Sequence, residues 1–360
     1  IMILKRFDTY IIKKFLGTYF LSIILIISIA VVFDISEKLD NFYENEAPLR
    51  AIIFDYYVNF IPYYANLFSP LFTFIAVIFF TSKMADNSEI IATFASGISF
   101  HRMMVPYLIS ASIIASMTYI LGGYVIPPAN KIRLDFQEEY VRKKKKDFVA
   151  KLQIKVSQNE ILYVDYFDHT ENTGHRVSLD QFNGKTLVSR ITGHRLIYDT
   201  TNVWKITRYT HREFDGLYEN ISQGDTMVKE INIIPADLLV FPNMHEQMNN
   251  RKLSAYIERQ KERGVGNIKN FEIEYEKRFS FPFAAFILTI IGVSLSSKKV
   301  KGGMGINLGI GLLLSIVYIL FGEISSTFTI NGSLPPMVAV WLPNIVFSLI
   351  AVYLYKKAPK

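Results

Sequence analysis

The chain has 360 residues, half of them hydrophobic, with a formal net charge of +7 and no cysteine. Without cysteine there is neither a disulfide framework nor a cysteine metal site, and the positive excess sits beside apolar runs, so it calls for no nucleic acid. Several runs approach 20 apolar residues, long enough to cross about 30 Å of hydrocarbon as helices, and one long middle stretch is polar. The composition therefore predicts an α-helical polytopic membrane protein with one inserted soluble domain.

In chain order, Lys5, Arg6, Lys13 and Lys14 mark a basic interfacial helix leading into a first span over 15–33. This run outlasts a signal's apolar core and lacks a small-residue cleavage site, so no cleavable signal peptide is expected. An acidic loop follows, with Asp34, Glu37, Asp40, Glu44 and Glu46 against Lys38 and Arg50. The second span, 52–80, carries Pro62 and Pro70, which remove backbone hydrogen bonds and kink it.

The polar stretch Thr81–Arg102 holds its own helix signals. Asp86 or Asn87 is placed to cap a short helix, and Glu89 to complete a capping box with Asp86. Gly97 supplies the left-handed residue that ends it. Ile90, Ile91 and Phe94 fall on one face. A capped amphipathic helix on a tight loop between spans is a docking element. For Glu89, local chemistry leaves two readings open: a helix cap, or a carboxylate aimed at a partner's basic residue.

The third span covers 103–126 and ends at Pro127-Pro128. The run Arg142–Lys146 reads as a solvated connector; contact with phosphates near the outer leaflet is the other reading. Short alternating stretches at 151–156, 160–166, 187–198, 203–209 and 227–233, with turn chemistry at Asn172-Thr173-Gly174 and Asn183-Gly184, predict hairpins of a β-sandwich or related all-β fold. Helical segments return at 253–263 and 268–277, interrupted by Gly264 and Gly266. Three more spans cover 279–295, 306–324 and 337–355. The boundaries are thus 1–126, 127–275 and 276–360.

Lysine and arginine are concentrated at the N-terminus, the Thr81–Arg102 loop, Lys298-Lys299-Lys301 and the Lys356-Lys357-Lys360 tail. That side is cytoplasmic by the positive-inside rule, which puts both termini inside and the β domain outside.

Catalytic signatures are weak. The six histidines (His101, His169, His175, His194, His211 and His245) lack metal-ligand spacing, so no metal or other cofactor is expected. Gly184-Lys185-Thr186 resembles the end of a phosphate loop, but position 179 is Leu179 where that motif needs glycine. Asp34 and Glu323 sit at the outer ends of spans, as interfacial residues.

The set Asp86 to Ser99, with Ser88-Glu89 before an apolar helix and an Ala95-Ser96-Gly97 turn, resembles the signature of the LptF/LptG permease family. So do Leu4 to Lys13, Val125 to Pro127, Leu253 to Ile257 and Glu274 to Arg278, the last two closer to LptG. The resemblance implies a non-catalytic permease of the ABC exporter that extracts lipopolysaccharide from the bacterial inner membrane. It implies that 86–97 is the coupling helix, with Asp86, Ser88, Glu89, Ile90, Phe94 and Gly97 serving a separate LptB-like ATPase. A jellyroll-like periplasmic domain would pass lipid towards LptC- and LptA-like proteins. Spans one and five, paired with a second LptF/LptG-type subunit, would form lateral gates. Gly305 and Gly309 have small-x-x-x-small spacing on span five; packing within the chain's own bundle explains them equally. The family's LptG members tend to carry lysine at the outer end of span one, where this chain has Asp34, with Lys38 a turn later. Substrate phosphates would then be met by Lys38 and Arg50 or by the partner subunit, or the lipid would carry fewer of them.

Two other classes compete. A membrane enzyme acting on lipids or glycans needs convergent acids, a nucleophile or metal ligands at one membrane face, and no such set is visible. A mechanotransmitting ABC-type protein more commonly has four spans, which the three-plus-three pattern opposes.

Overall fold

The computed structural model describes residues 6–141, 148–168, 171–200, 202–216, 218–235, 238, 243–262, 268–297 and 303–358. The expectations placed on Leu4, Lys5, Arg142–Lys146, His169, Gly264, Gly266, Lys298, Lys299, Lys301 and Lys360 lie outside them. The chain forms two compact units. One comprises 1–143, 245–251 and 269–360; the other comprises 144–244 and 252–268.

The first unit is helical. Helix α1, Arg6–Glu44, runs unbroken for 39 residues, about 58 Å at 1.5 Å per residue. The expected interfacial helix, first span and most of the acidic loop, through Glu44, are therefore one element, since no glycine or proline after Gly17 interrupts it before Pro48. Its buried residues Asp8, Ile11, Phe15 and Tyr19 follow helical spacing. After a turn come α2, Leu49–Ala51, a π-helical segment, Ile52–Tyr57, and α3, Val58–Leu67. The second span breaks at Phe68, and α4, Ser69–Asp86, restarts with Pro70 in its first turn, where a missing N–H is tolerated.

Helix α5 is Glu89–Ala95, and α6 is Phe100–Ile120. A second π-helical segment, Leu121–Val125, leads straight into α7, Ile126–Tyr140. The third span thus does not stop at Pro127-Pro128 as expected: the widened π turn relieves the clash of the proline rings with carbonyls four residues back. Later come α8, Met244–Gln247, α9, Asn250–Glu262, and α10, Lys269–Ser280. Helices α11, Phe283–Ser296, α12, Gly303–Ile330, and α13, Pro336–Lys357, complete the chain.

Among the described residues five helices are long and apolar enough to span a membrane, or six if the α10–α11 pair, bent by 49°, counts as one. Helix α4 is central: 72 % of its apolar window is buried, against 17 % for α1 and 22 % for α12. Close approach of α11 and α12 to α4 requires Gly292, where a Cβ would meet Val77 Cγ1 at 2.7 Å, and Gly311, where it would overlap Ile78.

The second unit is built on one antiparallel sheet in the order β1 to β6. The strands are β1, Phe148–Lys155; β2, Glu160–Asp168; β3, Thr173–Asn183; β4, Thr186–Thr200; β5, Val203–Asp215; and β6, Tyr218–Glu230. The expected all-β insertion is present; among the described residues it is one sheet of consecutive hairpins, where the expectation was a sandwich or jellyroll-like pair of sheets. Gly184, at φ +64°, makes the β3–β4 turn that Asn183-Gly184 predicts. Strand β3 went unread because Gly174, His175 and Arg176 obscure its alternation. The first half of β6 went unread because it is exposed on both faces. Trp204 anchors the core, fully buried against Phe167 and Tyr198, its Nε1–H donating to Ile233 O at 3.0 Å.

Candidate functional site

The loop between α4 and α6 is built differently from its expected capping. Helix α4 extends through Asp86, so Asp86 cannot cap α5. The N-cap is Ser88, held at φ +61° with no side-chain cap bond, and the Asp86–Glu89 capping box does not form. Glu89 instead accepts a hydrogen bond from Asn87 Nδ2 at 3.1 Å and another from Tyr10 OH at 3.2 Å. The C-terminal end is as expected. Gly97 sits at φ +85°, and the bonds Gly97 N–H to Phe94 O and Ile98 N–H to Thr93 O close a Schellman turn.

The amphipathic face also differs by one residue. Ile90 is 1 % exposed and Phe94 half-buried, both packed on the helical core, but Ile91 is 57 % exposed. Ile90 and Phe94 therefore seat the helix on its own subunit. The outward face is Ile91, Ala92 and Ala95, a small apolar patch with Glu89 at its edge.

Two contacts not foreseen from the sequence hold this loop, one to the start of α1 and one to the end of α13. Arg102 donates from Nη1 and Nη2 to the two carboxylate oxygens of Asp8, each at 2.7 Å. The Asp8 side chain is 1 % exposed. The readable signal was position: Asp8 falls on the stripe Ile11–Phe15–Tyr19, where an acid needs a partner. On the other side, His101 Nδ1 and Tyr355 OH are hydrogen-bonded at 3.0 Å.

At the far end of α1, Asp34 and Lys38 form an ion pair one turn apart, both mostly buried. Lys38 Nζ also donates to Tyr56 OH at 2.5 Å, and Tyr57 OH donates to Asp34 Oδ2 at 3.1 Å. Lys38 is thus paired inside its own subunit. Arg50, on α2, is exposed, and no contact with Asp34 or Lys38 is found among the described residues.

A second polar centre surrounds Arg278, whose side chain is 3 % exposed. It donates to Glu274 Oε1 at 2.8 Å, Met248 O at 2.6 Å, Asn250 Oδ1 at 3.1 Å and His245 O at 3.2 Å. Beside it lies a cavity of about 350 Å³ lined by Tyr63, Asn130, Glu246, Glu274, Lys277 and Glu323, among others. Glu323 accepts from Lys277 Nζ at 2.8 Å, so it has a specific partner beyond simple interfacial placement. Asn130 Nδ2 donates to Glu246 at 3.2 Å.

Burial, then the charge of Glu274, pushes the Glu246 carboxyl up from 4.5 to about 7, against the pull of Arg133, Lys277 and Arg278. From about pH 4.5 to 7 the folded chain then holds more protons here than the unfolded one, so stability falls as pH rises. Glu246→Gln keeps the acceptor for Asn130 and removes that penalty. Its thermal midpoint is expected to match wild type at or below about pH 4.5, to exceed it increasingly up to about pH 7 and to hold that lead above. A gap that does not grow with pH would contradict this.

Gly305 and Gly309 have nothing of the subunit within 4 Å of where a Cβ would lie. Among the described residues the glycine of α12 that packs within the bundle is Gly311, where a Cβ would overlap Ile78. Among the described residues no cluster of three or more His, Cys, Asp or Glu side chains is arranged to hold a metal.

The family model for the lipopolysaccharide export system permease LptF/LptG matches residues 9–357. The chain belongs to the LptF/LptG family. No curated protein matches it. LptF/LptG proteins are permease components of an ABC exporter, generally non-catalytic, and the multi-pass helical architecture with an inserted sheet fits that membership. The match covers α1 from Thr9 onward, the α4–α6 loop, all six strands and the last three long helices, so the features described above, Asp8 excepted, lie within LptF/LptG sequence.

Proposed function

We propose that this chain is a membrane-embedded, non-catalytic subunit that extracts lipopolysaccharide from the inner membrane and passes it to a periplasmic bridge. The family match across nearly the whole chain carries the reading. Its basic ends and the α4–α6 loop face the cytoplasm by charge asymmetry, so three spans precede a periplasmic sheet domain and three follow it. A separate LptB-like ATPase docks on the outward face of α5, with Glu89 pairing to a basic residue there. A second LptF/LptG-type subunit completes the pathway, packing against the open Gly305–Gly309 face, and LptC- and LptA-like proteins receive the lipid. Because Lys38 is taken by Asp34 and Tyr56, the head-group phosphates are met by Arg50 or by the second subunit.

The test is to purify the tagged chain from its native membranes in mild detergent and identify bound proteins and lipids by mass spectrometry. A P-loop ATPase and lipopolysaccharide are expected with wild type. Glu89→Ala should weaken ATPase association or lipid-stimulated turnover by about tenfold or more, as loss of a charge-assisted contact worth ~1.5–3 kcal/mol implies. An ATPase absent from preparations that preserve other ABC complexes would sink the reading.

A further inference from the structure

We propose that the Asp8–Arg102 pair is the joint through which displacement of the docking loop passes to the first span. This rests on the docking reading of α5. The start of α1 is otherwise basic, with Arg6, Lys13 and Lys14, yet its one acid is buried on the stripe that packs into the bundle. A buried carboxylate is costly unless paired and hydrogen-bonded, and here both oxygens are held by one guanidinium. Such a two-pronged contact fixes orientation as well as distance. A lysine in its place would hold the charge without the angle.

The placement of the pair gives it a mechanical role. Arg102 lies in the first turn of α6, and its backbone N–H donates to the N-cap Ser99. It stands just beyond the C-terminal end of the docking helix, while Tyr10 reaches Glu89 at the N-terminal end. Helix α1 therefore holds the docking loop at both ends, once by a neutral-donor hydrogen bond and once by a bidentate ion pair. From Asp8 onward α1 is continuous, with no break to absorb a movement before Asp34 is reached. Its middle is weakly held: Phe20, Leu21, Ile24, Leu25, Ile29 and Val32 are all exposed. A continuous helix held at its start, with one face of its middle exposed, moves as a body when that start is moved. Asp8 and Arg102 are positioning residues, acting through α1.

The chain lacks cysteine, so Ile29→Cys in α1 and Leu349→Cys in α13, both exposed, are its two labelling sites, and the same preparation without them gives the partners' background. The complex with its co-purified ATPase is placed in lipid nanodiscs, and the label distance is measured with and without a non-hydrolysable ATP analogue. With the native pair, the nucleotide is expected to change the distance. Asp8→Asn is expected to cut that change at least threefold while the ATPase still co-purifies at the wild-type level. The exchange Asp8→Arg with Arg102→Asp should restore part of it. If Asp8→Asn does not fold, Arg102→Lys keeps the charge, removes the fork and serves for the same comparison. An undiminished change in these variants with ATPase bound overturns the joint and leaves the docking reading standing. So does a wild-type distance that ignores nucleotide. An ATPase missing from the wild-type preparation overturns the docking reading, and the joint with it.

Discussion

Arg278→Met is expected to destabilise the helical unit by about 3–5 kcal/mol, the range for removing one partner of a buried ion pair. The guanidinium serves four acceptors on α10 and on residues 245–250. Methionine matches its bulk and serves none of them. Glu274 would be left as a second largely buried carboxylate beside Glu246, and two carbonyls would lose their donor. Residues 245–251 belong to the helical unit although the chain on both sides belongs to the other. Among the contacts that hold them there are this side chain, the edge-on packing of His245 against Phe271 and two others. Asn130 bonds Glu246, and Gly123 lets Asn250 approach so closely that a Cβ would lie 2.6 Å from its Nδ2. Thermal unfolding in detergent, read with protease cleavage near 245–251, checks the expectation. Arg278→Lys should fall nearly as far, since one ammonium cannot reach four acceptors spread around a planar fork. A variant with wild-type midpoint and protease resistance would refute it.

The glycines of α12 give the second large effect. Gly311→Leu should destabilise the isolated subunit by about 1–3 kcal/mol, the usual cost of overpacking, because even a Cβ there overlaps Ile78. Gly305→Leu and Gly309→Leu should leave the subunit's own midpoint unchanged or slightly higher, since both positions face open space and leucine is the better helix former by up to ~1 kcal/mol. Their cost should appear only in assembly, as a several-fold lower yield of the paired permease complex by native mass spectrometry. Equal yields for all three variants would remove Gly305 and Gly309 from the subunit interface.

The three glycines also show where sequence stops being informative. Spacing alone favoured Gly305 and Gly309 as a close-packed pair, and left open whether the partner was internal. The face of α12 that meets α4 is set by how the helices rotate against each other, and that placed Gly311 inside and the other two outside.

Sequence by itself determined the parts that rest on local, one-dimensional physics. Apolar runs of membrane length, the lysine and arginine bias, the Gly97 stop after α5 and the Asn183-Gly184 hairpin all depend on neighbours in the chain, and the family motifs around Ser88-Glu89 depend on identity and spacing. Tertiary structure alone decided which charges are available. Neighbours in the chain place Glu89 as a helix cap or a docking carboxylate, Lys38 near substrate phosphates and Glu323 at the membrane interface, yet each has a partner supplied by another turn or helix: Tyr10 on α1, Asp34 with Tyr56, and Lys277 on α10. Asp8 and Arg102 are 94 residues apart and carry no mutual signal in the sequence. Burying a charge is so costly that its partner is found wherever the fold brings one, and only packing in three dimensions says where that is.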